Sequence, residues 1–318
     1  MHEPYWIGVD LGGTKILTGL FDANFKLLAR AKQATQSEGG GPAVFGRLIQ
    51  TVDSVIAESK VDPAKIAGMG LAIPGQIVPG GRVVRYAPNL AWRDYDLTQL
   101  IPPSWKWPVF IENDVRMGTY GEWAAGAAKG AKHVFGVFVG TGVGGGLILD
   151  GKLYNGFNGH AGEVGHIIVH WRRGEELEAI AGRRAMMKRA QVMLDDAPKR
   201  VRKEWKGVNV AAVKSSQLAD LYQKDDPVAV QLVDDAARAL GAAIGSVINL
   251  LSPEVIVIGG GVAGALGESF RERAWEIAQR YALPRAAEGV RCVPAALADD
   301  SGIVGAASFA RDQLNAKK

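Results

Sequence analysis

Three places in the chain combine residue types that can do chemistry. The stretch "GHAGEVGHIIVHWRRGEELE", Gly159 to Glu178, gathers His160, His166 and His170 with Glu163, Glu175, Glu176 and Glu178 among small glycine turns. Such a set can ligate a metal, move protons or grip a polar ligand, and it can equally be a solvated loop beside a strand. In "FIENDVRMG", Glu112, Asn113 and Asp114 stand where a strand pattern becomes a helix. Asn and Asp both favour helix N-caps, while a carboxylate at the carboxyl end of a strand can also accept a hydroxyl proton. Third, there are two glycine turns, "VDLGGTK" (Asp10, Gly12, Gly13, Thr14, Lys15) and "VGTGVGGG" (Gly140, Thr141, Gly142, Gly144). Without Cβ atoms a turn lets its N–H groups close on a phosphate. The first turn alone reads as a tight hairpin; the second carries more glycine than a hairpin needs. Asp10 adds a carboxylate suited to Mg²⁺, held through water. Gly259, Gly260 and Gly261, before a helix, suit a nucleotide base or ribose at a helix N-terminus.

The elements that must position these groups follow from the apolar patterns. "YWIGVD", "KILTGLFD" and "FKLLARAK" read as an antiparallel meander. A helical pattern covers Pro42 to Ser59, "IAGMGLAI" and "VFIEND" read as strands, and a helix begins near Val115. From His133 the opening repeats: "GVFVGTGVGGGLILDG" aligns with "GVDLGGTKILTGLFD", strand with strand and turn with turn. The echo points to two related α/β lobes, with small ligands expected in a cleft between them. The expected division is 1–113, completed by a C-terminal helix of about 302–318, and 114–301. Residues from Glu176 to Leu251 read as mostly helical, followed by the strand "VIVIGG" and closing helices.

Composition narrows the class. The 318 residues are 47% hydrophobic and 22% charged, the balance of a globular protein. A net charge of +4 gives no strong polyanion-binding field, so neither nucleic acid nor a membrane surface is an expected partner. The single cysteine, Cys292, excludes an internal disulfide, and the start lacks a leader pattern, so a cytoplasmic location is expected. Two formal G-x-G-x-x-G matches occur, at Gly140, Gly142, Gly145 and at Gly259, Gly261, Gly264. The first runs into a strand, and the second lacks the acidic residue at the end of a following strand, so neither supports a dinucleotide site.

In order, "GVDLGGTK", "FIEND", "VGTGVGGGLILDGKLYNG", "GHAGEVGH" and "VIVIGGGV" resemble the ROK family of sugar kinases, within the sugar kinase, actin and Hsp70 superfamily. The resemblance runs from Ile7 to about Ala307. It implies a two-lobed actin-like ATPase (ribonuclease H-like) α/β fold, ATP with Mg²⁺, and a homodimer. It implies that both glycine turns bind ATP phosphates and that Asp114 is the general base for the sugar hydroxyl. Asn113 is implied to hold a neighbouring hydroxyl, and Glu163, His166 and Glu178 to contact the sugar, with Gly75 and Asn89 in the same pocket. The implied reaction is phosphorylation of a hexose at its C6 hydroxyl, with glucose favoured. Rivals are kinases of fructose, mannose, allose or N-acetylmannosamine, a polyphosphate-using glucokinase, and a sugar-responsive regulator. A regulator of this family carries a DNA-reading module ahead of the first turn, and with the turn this early in the sequence a regulator is not expected.

One departure from the family is plain. Members usually carry C-x-C-G-x-x-G-C after "GH", which with that histidine binds a structural zinc. This chain has "VHWRRGEELE" there and no cysteine, so no structural zinc is expected. Glu175 and Glu176 are the candidates for orienting His166 in its place. The basic run "KRVRKEWKG", Lys199 to Gly207, reads as a solvated helix end before it reads as a phosphate contact. Trp92, Trp105, Trp107 and Trp123 are either core or sugar-stacking residues.

Overall fold

The computed structural model describes residues 4–199 and 201–316. The expected meander forms: β1 (Tyr5–Leu11), β2 (Lys15–Phe21) and β3 (Leu27–Ala34) pair antiparallel in chain order. The helix α1 (Gly40–Ser59) begins two residues before Pro42 and buries Val44, Phe45, Leu48, Val52 and Val55, one apolar stripe at helical spacing. β4 (Ile66–Ile73) then pairs parallel with β1.

Next come three short strands that the sequence does not announce: β5 (Gln76–Ile77), β6 (Val83–Ala87) and β7 (Trp92–Asp96). They form a separate antiparallel sheet. At two to five residues each, they are too short to show a clean alternation. β8 (Val109–Asn113) pairs parallel with β4 and runs directly into α2 (Asp114–Ala124).

The second half contains β9 (Val134–Val139), β10 (Val143–Leu149), β11 (Lys152–Leu153), β12 (Ile168–His170) and β13 (Glu175–Glu176). Four helices follow, α3 (Leu177–Ala181), α4 (Arg183–Asp195), α5 (Ser215–Gln223) and α6 (Pro227–Leu251). β14 (Val255–Gly259), α7 (Gly261–Tyr281), β15 (Arg291–Pro294) and α8 (Ser301–Asn315) complete the chain. The expected helical stretch is broken at 196–199 and 201–209, which consist mainly of successive turns, and β15 has no counterpart in the sequence reading. The echo seen in the sequence is a duplication of topology. One five-stranded sheet runs β3-β2-β1-β4-β8 and the other β11-β10-β9-β14-β15, each with the glycine turn between its first two strands in the chain.

The chain separates into two compact units. One comprises the chain up to Gly130, Gly146–Ala161 and the chain from Asp299; the other comprises Ala131–Gly145 and Gly162–Ala298. Within the first, α8 lies on β1 and β4 at backbone contact. A Cβ at Gly8 or Gly70 would fall 1.9 Å from the carbonyl oxygen of Ile303 or Ala306, so any side chain there would push the helix off the sheet. Trp92, Trp105 and Trp107 are buried in the same unit's core, which decides against a stacking role for them. Trp123 is half-buried and meets Tyr120 edge-on at 5.0 Å. Within the second unit, α6 packs along α7, and Asp226 caps α6 by accepting from the N–H groups of Val228 and Ala229.

Candidate active site

In the first unit the polar residues cluster where β8 becomes α2. Asn113 is the N-cap, its Oδ1 accepting from the N–H groups of Val115 and Arg116 at 3.0 Å each. Its Nδ2 donates to Gly75 O at 3.0 Å and to Asp114 Oδ1 at 3.1 Å. Val115 N–H also donates to Asp114 Oδ1, at 2.9 Å, so the carboxylate is fixed on that side. Capping and carboxylate positioning are thus done by one amide. Gly75 has φ +106°, and a Cβ there would fall 2.2 Å from Tyr86 O. Gly75, Asn113 and Asp114 form a single corner.

Beneath that corner lies a buried ion pair. Glu112 accepts from Asn113 N–H at 2.8 Å, Arg116 Nη1 at 3.0 Å and Asn155 Nδ2 at 2.7 Å. Arg116, 2% exposed, also donates to Gly159 O. Removing one member of such a pair leaves a buried charge, at a cost of about 3–5 kcal/mol. Sequence reasoning missed Arg116 and Asn155. The signal for Arg116 was its i,i+4 spacing from Glu112. Asn155 had none.

Asp10, on β1, belongs to the same unit. Burial, then the nearby Asp114 charge, push its carboxyl up to about 7, with Asp299 adding to the effect and Lys15 opposing it. The start of α8 lies against it: a Cβ at Gly302 would fall 2.9 Å from Asp10 Cγ. Gly302 is a further residue that the sequence did not reveal, since it is distant in the chain. Lys15 Nζ donates to Asp299 Oδ2 at 2.8 Å, and this bond holds Asp299 below the usual carboxylate range. The first glycine turn closes as a hairpin, with Gly12 N–H on Lys15 O at 2.9 Å and Thr35 N–H on Thr14 O at 3.0 Å. Asn89 lies against Gly13, where a Cβ would sit 3.0 Å from Asn89 Cβ.

In the second unit the glycine turn is braced from outside. Gly140 N–H donates to Gly142 O at 2.8 Å, Gly140 O accepts from Arg183 N–H at 3.0 Å, and Thr141 O accepts from Arg184 N–H at 3.1 Å. Arg183 Nη2 reaches Thr141 Oγ1 at 3.2 Å, which makes Arg183 a cation on the turn that sequence reasoning overlooked. Gly261 N lies 4.0 Å from the Cβ position of Gly140, bringing the start of α7 to the turn. Gly260, at φ +90°, would place a Cβ 2.4 Å from Val139 O. Gly259 is the last residue of β14 and Gly144 lies within β10.

The histidine stretch packs on this turn. A Cβ at Gly165 would fall 2.1 Å from Val143 O. Glu178 Oε2 accepts from Val143 N–H at 2.8 Å and lies 2.3 Å from a Cβ placed on Gly142. Glu163 is half-buried ahead of the 3-10 turn Val164–His166. His166 stands 62% exposed at its side chain, with Nδ1 2.9 Å from Glu176 Oε2. That bond raises the imidazole above its ordinary value, against the effect of burial, with the charges of Glu176, Glu178 and Glu163 adding to it. Of the two candidate orienting residues, Glu176 is the one in place. His170 is exposed and His160 half-buried. Among the described residues, no group of three or more His, Cys, Asp or Glu is arranged to hold a metal ion.

Residues 6–313 match the ROK family. The chain belongs to the ROK family. A glucokinase from Halalkalibacterium halodurans is 31% identical over 99% of this chain and 97% of its own. The structure of a ROK family glucokinase from Streptomyces griseus, in complex with glucose and AMPPNP, superposes with a TM-score of 0.82 at 28% identity, covering 97% of this chain and 99% of that one. A putative xylose repressor from Caldicellulosiruptor is 26% identical over 94% of this chain and 76% of its own. The fold is the two-lobed actin-like ATPase fold, α/β with duplicated sheets. The kinase relatives support an ATP-using sugar kinase. No helix among the described residues is long and apolar enough to cross a membrane.

Proposed function

We propose that this chain transfers the γ-phosphoryl group of ATP to the C6 hydroxyl of a hexose, with glucose the favoured acceptor. The observation that carries this is Asp114, a carboxylate at the mouth of a strand-to-helix junction, fixed at Oδ1 by Asn113 and Val115 N–H. Asp114 takes the hydroxyl proton as the C6 oxygen bonds to the γ-phosphorus, and the bond from that phosphorus to ADP breaks. Glu163, His166 and Glu178 serve the other hydroxyls, since a sugar hydroxyl both donates and accepts. The N–H groups of the two glycine turns and the Lys15 and Arg183 cations suit the phosphates. Asp10, a hard oxygen donor, fits Mg²⁺ held through water, and when bound the ion offsets phosphate charge. Asp10 would release its proton on binding it, because its carboxyl titrates near 7.

The glucose preference leans on the Halalkalibacterium and Streptomyces relatives, both glucokinases. A regulator is the second reading, favoured by the repressor among the relatives. A sugar-responsive regulator has no use for a general base, and Asp114 favours the kinase. The test is a coupled assay of ADP release over glucose, fructose, mannose, allose and N-acetylmannosamine, with ATP or polyphosphate as donor. Glucose with ATP should give the highest kcat/KM. Sugar binding without turnover for any pair would overturn the kinase in favour of the regulator.

A further inference from the structure

The basic run at 199–206 has no part in sugar phosphorylation as proposed, and the structure gives it a shape. Four of its described cations line a cavity of about 610 Å³ within the second unit, beyond the C-terminal end of α4. Lys199, Arg202, Lys203 and Lys206 line it together with one carboxylate, Asp195. Among the described residues, none of the four cationic side chains has a hydrogen bond or an ion pair, whereas Arg238 and Arg273 both pair with Asp234. Arg200 lies outside the described residues and is left out of the site.

The wall beneath the cations is apolar and anchored. Trp205 is 5% exposed, and its Nε1 donates to Asp226 Oδ1 at 3.1 Å, the same oxygen that caps α6. Leu194, also 5% exposed, lies beside it. The run is therefore tied to the end of a 25-residue helix, not loose in solvent. Four cations against one carboxylate around a concavity focus a positive potential, and a volume of this size suits a small molecule.

We propose that this cavity binds a linear triphosphate. Such a chain carries roughly four negative charges, enough to offset the excess of cations over Asp195, where a single phosphate carries about two. The triphosphate can be inorganic or can belong to a free nucleotide, the four cations meeting the phosphate chain in either case. The cavity shares no lining residue with the glycine turns, Lys15, Arg183 or Gly259–Gly261, the residues proposed for ATP.

Isothermal titration calorimetry on the full chain tests this, with sodium tripolyphosphate, GTP and inorganic phosphate as probes. Tripolyphosphate should bind, and inorganic phosphate should bind at least about tenfold more weakly, the effect of losing one charge-assisted contact. The double variant Arg202→Ala, Lys203→Ala should weaken tripolyphosphate binding at least about tenfold while leaving the KM for ATP unchanged. Both residues are exposed, so the fold should survive, and circular dichroism checks this. GTP binding more tightly than tripolyphosphate would assign the ligand to nucleotides; equal binding would assign it to the phosphate chain alone. The proposal is overturned if the double variant binds tripolyphosphate like the wild type, or if its KM for ATP rises in parallel with the loss.

Discussion

Asp114 rests on a buried frame, while His166 stands in the open. Around Asp114, the cap of α2, the carbonyl of Gly75 and the Glu112–Arg116 pair leave the carboxylate little freedom. His166 leans on one side chain, Glu176, itself 42% exposed. A group that accepts a proton in flight must be held in one geometry, because small misplacements are expensive in rate. A group that only recognises hydroxyls can be adjusted by its substrate. The proposed division follows this difference, with chemistry at the strand–helix junction and recognition at the histidine loop.

The largest break in that comparison should come from Asp114→Asn. Its amide cannot take the proton, so kcat should fall about 10²–10⁴-fold, read in the coupled assay. A kcat near that of the wild type would return Asp114 to a capping role.

Asp10→Asn separates stability from activity. With a folded value near 7 against an ordinary 3.8, the folded chain holds a proton that the unfolded chain releases between those values. Stability contributed by this group therefore falls as pH rises from about 4 to 7 and stays lowest above 7. At pH 8 and without Mg²⁺, the neutral amide should raise Tm, on the order of 5 °C, while activity is lost. At pH 4 the two proteins should melt alike; a variant that melts lower at pH 8 would show that burial does not strain this carboxylate.

Gly142→Ala should affect both proposed ligands together. The added Cβ would meet Glu178 at 2.3 Å, so the KM values for ATP and for sugar should both rise, each by roughly tenfold if one charged contact is lost. A rise for ATP alone would detach Glu178 from the sugar. Gly264→Ala is the control. Nothing lies within 4 Å of its Cβ, and alanine should stabilise α7 by about 0.5–1 kcal/mol with kinetics unchanged.

Glu176→Gln should have the smallest effect. The glutamate raises the His166 value, so the charged pair is complete below the ordinary 6.5 and is lost as pH rises through the raised value. In the variant, an NMR titration should show the imidazole moving back down, and the sugar KM should rise a few-fold with kcat kept. An unmoved titration would remove Glu176 as the orienting residue.

The strands carrying the glycine turns, the Asn113 cap and the histidine stretch were legible because each is written within a few neighbouring residues. The duplicated sheets were legible as a repeat. What the sequence hid lies at long range or in short pieces. Lys15 meets Asp299, 284 positions away, and Gly302 reaches Asp10 only because α8 returns to β1. The β5–β7 sheet has no strand longer than five residues. Glu176 and Glu175 could not be told apart until the pairing of β12 with β13 fixed which one faces His166.

The most direct measurement is calorimetric binding of glucose to Asp114→Asn and His166→Ala side by side. If chemistry and recognition are divided as proposed, Asp114→Asn keeps its glucose Kd within a few-fold despite its lost turnover. His166→Ala should weaken binding at least about tenfold. Equal losses in the two variants, or a glucose Kd in His166→Ala unchanged from the wild type, would contradict the division.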